Sequence, residues 1–226
     1  MHFLTSSFIV ILFFFIASSS VLAAGSQFIT VVNPIRGEDF FQLENSRPAD
    51  NFYKQLAEIK KRNLSATWLI RPDALSNVQI TDGLKHAGAN QEIGLFMEIT
   101  PTWADLAGVE YSKVDNWHSA ESVFLTGYEL DERKKLIDSA FNRFKEIFGY
   151  FPKSVGAWWI DAGSLTYMRD NYEIVANMDV ADQYSTDNYQ VWGQYFSTPF
   201  YPAKRNALTP ASSEEQKIGV ITLQWA

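Results

Sequence analysis

Apolar and polar positions along this chain fall into blocks that change period. Gln27–Val32 is a short apolar run that Asn33-Pro34 ends, and it predicts a first strand. Pro48 then opens a helix with Phe52, Leu56 and Ile59 spaced i, i+4, i+7, and Asn63 closes it. Leu64–Ile70 predicts a second strand, stopped by Arg71-Pro72. Asp73–Gly88 holds one or two short helices, with Gly88 as the stop. Glu92–Ile99 predicts the third strand: Ile93, Leu95, Phe96, Met97 and Ile99 are apolar, yet Glu98 sits among them. From 101 to 128 the periodicity fades, and Trp103, Tyr111, Trp117, His118, Phe124 and Tyr128 are scattered among polar residues. A long helix follows. Thr126-x-x-Glu129 reads as a capping box, and Leu136, Ile137, Ala140, Phe141, Phe144, Ile147 and Phe148 make its apolar face. Gly149 and Pro152 stop it. Ser154–Ile160 predicts a fourth strand, and Asp161 opens a helix running through Tyr172. Glu173–Asn177 is a short strand, Asp182–Pro202 a polar and aromatic loop, and Lys217–Trp225 a last apolar strand.

Strands alternating with helices predict parallel βα units, hence the α/β class. Six strand candidates are too few for a closed eight-fold barrel, so the expectation is a distorted or incomplete (β/α) barrel of about seven parallel strands. The last strand is followed directly by the end of the chain, which reads as C-terminal truncation.

Outside these elements, Met1–Ala24 reads as a signal peptide. Phe8–Ala17 is an apolar h-region, and Val21-Leu22-Ala23-Ala24-Gly25 offers small-residue cleavage after Ala23 or Ala24. The alternative is an uncleaved membrane anchor, although a span needs about 20 apolar residues and Ser18-Ser19-Ser20 interrupts this run. Residues 25–226 suffice for one domain with a real core. The chain has no cysteine, which excludes thiol nucleophiles and Cys-ligated metal, and suits a bacterial or archaeal envelope protein. Net charge is −7 and no basic cluster exceeds Lys60-Lys61-Arg62, so nucleic acid is not an expected partner. Seven Trp and ten Tyr supply flat faces of the kind sugar sites use, or ordinary core.

Three segments, "KKRNLSATWLI", "QEIGLFMEITP" and "FGYFPKSVGAWW", resemble the polysaccharide deacetylase (NodB-homology) family of the glycoside hydrolase/deacetylase superfamily. The similarity runs over roughly residues 28–176. It carries Lys60-Lys61-Arg62, Thr67-Trp68, Glu92-Ile93-Gly94 and Pro101 in register. The resemblance implies that fold and a poly- or oligosaccharide partner. It also implies a metal held by two histidines and an aspartate, but the histidine positions here are Phe96 and Thr100. The family's Asp-Asp strand end is Val32-Asn33-Pro34-Ile35-Arg36-Gly37, with Glu38-Asp39 beyond it. The family's zinc site therefore cannot form, and no cofactor is expected.

In parallel barrels the chemistry sits at the C-terminal ends of strands. Glu98 and Asp161 are the candidate catalytic carboxylates of a metal-independent glycoside hydrolysis, one acid and one nucleophile or base. Asn33, Arg36, Asp39, Arg71, Trp103, Trp158, Trp159, Asp182 and Trp225 are candidate substrate contacts; Asp179 also lies at a strand end. Two bland alternatives stand beside this. Asp161 can be only a helix cap, and Glu98 can be only the ion-pair partner of Arg36 or Arg71. Of Trp158 and Trp159, strand alternation would put one ring in the core and the other on the cleft. Three functions follow: a metal-independent carbohydrate hydrolase, a non-catalytic glycan-binding relative, or a deacetylase with an atypical metal site from Asp39, Glu98 and His118.

Overall fold

The structure, a computed structural model, describes residues 29–39, 47–111, 119–180, 196 and 198–225. The proposed leader, His118 and Asp182 fall outside the described residues. Strands β1 (Val32–Ile35), β2 (Ala66–Ile70), β3 (Gln91–Phe96), β4 (Ser154–Gly156), β5 (Ala176–Val180) and β8 (Ile221–Trp225) form one parallel sheet, ordered β1-β2-β3-β4-β5-β8. The hairpin β6 (Pro202–Ala203) and β7 (Asn206–Pro210) pairs separately. Helices α1 (Pro48–Lys61), α2 (Val78–Lys85), α3 (Pro101–Leu106), α4 (Ala120–Val123), α5 (Leu130–Phe148) and α6 (Ala162–Tyr172) lie between strands. The fold is an α/β sheet curled into an incomplete (β/α) barrel, and all six expected strands belong to it.

Alternation along the strands divides the core in two. Trp68, Ile70, Leu95 and Val155 pack with Phe52, Leu56, Leu136, Phe141 and Leu165 from the helices. Leu69, Phe96 and Met178, on the opposite face, pack with Val123, Phe124 and Leu208. Successive strand residues point to opposite faces, so a parallel sheet buried on both sides reads as an unbroken apolar run.

Several boundaries moved for local reasons. Asn33 and Pro34 lie inside β1 rather than ending it, because β1 is an edge of the described sheet and a proline's missing N–H costs nothing there. The helix cap expected at Thr126 is one turn later: the Glu132 carboxylate accepts the Glu129 N–H at 3.0 Å. Gly149 ends α5 in the left-handed region at φ 84°, a conformation glycine adopts without cost. Strand β3 stops at Phe96 and β4 at Gly156, earlier than their apolar runs. That early stop releases residues 97–100 and 157–161 from pleated geometry at the C-terminal mouth of the sheet.

Candidate functional site at the C-terminal mouth of the sheet

Glu98 is the centre of the mouth. It is 1% exposed, and four donors reach its two oxygens. Arg36 donates through Nε to Oε1 (3.0 Å) and through Nη2 to Oε2 (2.8 Å). Arg71 Nη1 donates to Oε1 at 2.5 Å, and Trp158 Nε1 to Oε2 at 2.6 Å. A carboxylate offers about four lone-pair sites, so its acceptor capacity is filled. Burial pushes the Glu98 carboxyl upward. Hydrogen bonding and charge from Arg36, the Arg71 charge and the Trp158 bond outweigh it, and leave the pKa below the usual glutamate value.

The network continues outward. Arg71, with no exposed surface, forks onto Asp73 (Nε–Oδ1 and Nη2–Oδ2, both 2.7 Å), and its Nη2 also donates to the Asp39 carbonyl at 3.0 Å. Burial lowers the Arg71 pKa, but Asp73 and Glu98 hold it above its ordinary value. Asp73 accepts the backbone N–H groups of Gly37 (3.3 Å) and Asp39 (3.2 Å). Gly37 must be glycine here: an added Cβ would collide with the Asp73 carboxylate and meet the Ala74 nitrogen at 2.9 Å. Asp39 in turn accepts the N–H (2.9 Å) and hydroxyl (2.8 Å) of Thr102. Arg36 lies 5.5 Å from the Phe96 ring centre and 5.4 Å from that of Trp158, so its charge rests on two aromatic faces. Beside this network opens a cleft of about 460 Å³, lined among others by Glu38, Asp39, Asp73, Asn77, Gln79 and Thr102. All of them follow the C-terminal ends of β1, β2 and β3.

Asp161 caps α6. Its Oδ1 accepts the Ser164 N–H at 3.0 Å and its Oδ2 the Ser164 hydroxyl at 2.6 Å; Arg133 Nη1 stands 3.6 Å from Oδ2. Its side chain keeps 16% of its surface in solvent.

The mouth therefore gathers Arg36, Asp39, Arg71, Glu98 and Trp158, with Asp161 at the next strand end. Other candidate contacts lie elsewhere. Trp103 is fully buried and donates to the Leu136 carbonyl at 3.0 Å, so it serves the helix-side core. Asn33 pairs in register with Trp68 and shares its face, away from the mouth, with Nδ2 buried and unpartnered. Trp158 and Trp159 do not split between core and cleft: both join the cluster with Phe96 and Phe124, because β4 has ended and pleat alternation no longer applies. Trp225 is the exception: it closes β8 opposite Val180, at the C-terminal end of the sheet, its expected place. Asp73 was missed as a site residue, although an acid two residues after a strand-end arginine is a detectable signal.

The metal implied by the deacetylase resemblance does not fit these residues. Phe96 is fully buried against Trp158, and the Thr100 hydroxyl accepts the Trp103 N–H as the cap of α3. Of the atypical set, Glu98 is saturated by four donors and Asp39 is held by Thr102.

Residues 92–225, more than half of the chain, match the family described as "Domain of Unknown Function with solved-structure structure (DUF3863)". The chain belongs to the DUF3863 family. No curated protein matches this DUF3863 chain. Solved structures do. A proposed glycoside hydrolase/deacetylase from Parabacteroides distasonis superposes with a TM-score of 0.60 at 17% identity, over 87% of this chain and 44% of that one. A proposed polysaccharide deacetylase from Mycobacterium smegmatis gives 0.53 at 12% identity, over 87% and 58%. The DUF3863 chain thus spans about half the length of these proteins. At such identities the likeness shows the fold, and the fold is the one the resemblance implied.

Proposed function

We propose that this chain is a carbohydrate-active domain that holds a poly- or oligosaccharide at the C-terminal mouth of its sheet, and that Glu98 builds this mouth rather than reacting in it. The observation that carries this reading is the saturated Glu98 carboxylate beside an open polar cleft. A general acid must release a proton and a nucleophile must offer a lone pair; Glu98, below the usual glutamate range and gripped by four donors, is poorly placed for either. The cleft volume lies within the range of small-ligand pockets, and its carboxylates and amides are the groups that hydrogen-bond sugar hydroxyls. The solved proteins sharing the fold are described as acting on polysaccharides or glycosides, which supports the ligand class.

Metal-independent hydrolysis is the second reading, favoured by Asp161, whose carboxylate is partly open to solvent at a strand end. A glycan-binding and hydrolysis screen of wild type against Asp161→Asn and Glu98→Gln separates the two. Binding without turnover in any protein supports the binding role. Turnover that Asp161→Asn abolishes establishes the enzyme. No saccharide bound or cleaved in any condition overturns both. We further propose export through the Met1–Ala24 leader, supported by its h-region and small-residue cleavage site.

A further inference from the structure

On the helix-facing side of β5 and β8, away from the Glu98 network, buried polar atoms lack partners. Asn177 and Asp179 lie two apart on β5 and share a face; their register partners on β8 are Thr222 and Gln224. Asp179 and Thr222 have no exposed surface, and Asn177 is 2% exposed. Asn177 Nδ2 donates to Asp179 Oδ2 at 2.8 Å and to Thr222 Oγ1 at 3.4 Å. The other two oxygens of the pair, Asn177 Oδ1 and Asp179 Oδ1, are buried acceptors without a donor in hydrogen-bond geometry, although the Ile160 N–H stands near the Asp179 carboxyl; Gln224 Nε2 is also unpartnered. Two orphaned acceptors on side chains already joined once are costly if both stay unmade.

One hydrogen atom removes both deficits. A neutral Asp179 would donate Oδ1–H to Asn177 Oδ1 while accepting Nδ2–H at Oδ2, which would close the ring of a carboxylic acid–amide dimer. We propose that Asp179 and Asn177 form this cyclic acid–amide pair in the native protein, a buried proton that stabilises the polar face of β5 and whose loss destabilises the fold. The surroundings agree. Burial, with the neighbouring Asp161 carboxylate adding to it, pushes the Asp179 carboxyl up to about 8, against the opposing pull of the Asn177 amide and the Ile160 N–H. Asp161 is the charged group facing Asp179 from the β4–α6 turn; β8 presents the uncharged Thr222 and Gln224.

The sign is fixed by the direction of the shift. The unfolded carboxyl ionises near 3.8 and the folded one near 8, so the native state binds the extra proton between those values. Its contribution is complete below about pH 4 and is lost as pH rises through 8. Equilibrium denaturation from pH 5 to 9 on wild type and Asp179→Asn reads it directly. Wild type is expected to lose up to about tenfold in its folding constant per pH unit on approaching 8. Asp179→Asn, which supplies a permanent N–H in place of the acid proton, is expected to lose that slope. The same slope in both proteins overturns the proposal. Isotope-edited infrared spectroscopy of wild type tests it without a variant: a protonated aspartic carboxyl band at pH 6 that fades through pH 8 and is absent from the unfolded protein supports it. Only ionised aspartate at pH 6, with a water filling the two acceptors, overturns it. Both readouts are independent of any saccharide.

Discussion

Glu98 looks at first like an acid misplaced in a buried strand. It lies two residues past the end of that strand, and every acceptor site it has is used. Removing one partner of a buried ion pair strands the other charge, which costs about 3–5 kcal/mol. Glu98→Gln is therefore expected to destabilise the protein by roughly 3 kcal/mol or more, measured by urea unfolding, because Arg71 has no exposed surface through which to recover solvation. The depressed Glu98 pKa gives this contribution an acid limit: it is complete above the unfolded value of 4.5 and is lost as pH falls through the lower folded value. Glu98→Gln should flatten that acid limb. Gly37→Ala should damage the same network from its other end, by pushing the Asp73 carboxylate off Arg71; a lowered unfolding midpoint would show it. The pairing of Glu98 with Arg36 or Arg71 was legible as one of the alternatives the sequence offers; that both arginines hold it at once, and that Asp73 completes the network, was not. Arg36 and Glu98 are 62 residues apart and Arg71 and Glu98 are 27 apart, so only the strand order joins them.

At the scale of elements, α1, α5, α6 and strands β2, β3, β4 and β8 were legible from apolar spacing and from Pro48, Gly149 and Asp161 as stops and caps, whereas β1 and β5 begin about where their expected strands end. Asp73–Gly88 reads as one or two short helices and holds α2, but the shorter elements were not legible. Helix α3 has six residues, too few for its period to show, although Thr100-Pro101 is a sound cap and first-turn pair. Hairpin β6–β7 is shorter still, and is set by pairing rather than by pattern. Caps give the cleanest element-scale test. Asp161→Ala should cost about 1 kcal/mol through loss of the α6 cap, whereas Asp161→Asn keeps an acceptor for Ser164 and should cost only a few tenths. Thermal unfolding of the two variants side by side checks this, and makes Asp161→Asn the fair probe of any catalytic role.

At the scale of the molecule, a six-stranded curled sheet places three βα connections around one polar cleft and fastens them with a near-neutral ionic network of Arg36, Arg71, Glu98 and Asp73. Among the described residues no group of three or more His, Asp or Glu side chains could hold a metal ion, and no helix is long and apolar enough to cross a membrane. The barrel class was visible from the alternation of strands and helices. The arginine–carboxylate network at the mouth was half visible, in Arg36, Arg71 and Glu98 at the strand ends. If the leader is processed, N-terminal sequencing of the exported protein should begin at Ala24 or Gly25. The most direct measurement of the central claim is saccharide affinity by glycan array followed by calorimetry, on wild type, Glu38→Ala/Gln79→Ala and Glu98→Gln. With the cleft as the site and Glu98 as its scaffold, the double variant, which removes two lining side chains, should weaken binding about tenfold or more with an unchanged unfolding midpoint. Glu98→Gln should lower affinity and unfolding midpoint together. Undiminished binding by the double variant, or a fully stable Glu98→Gln protein that has lost only turnover, would contradict the account.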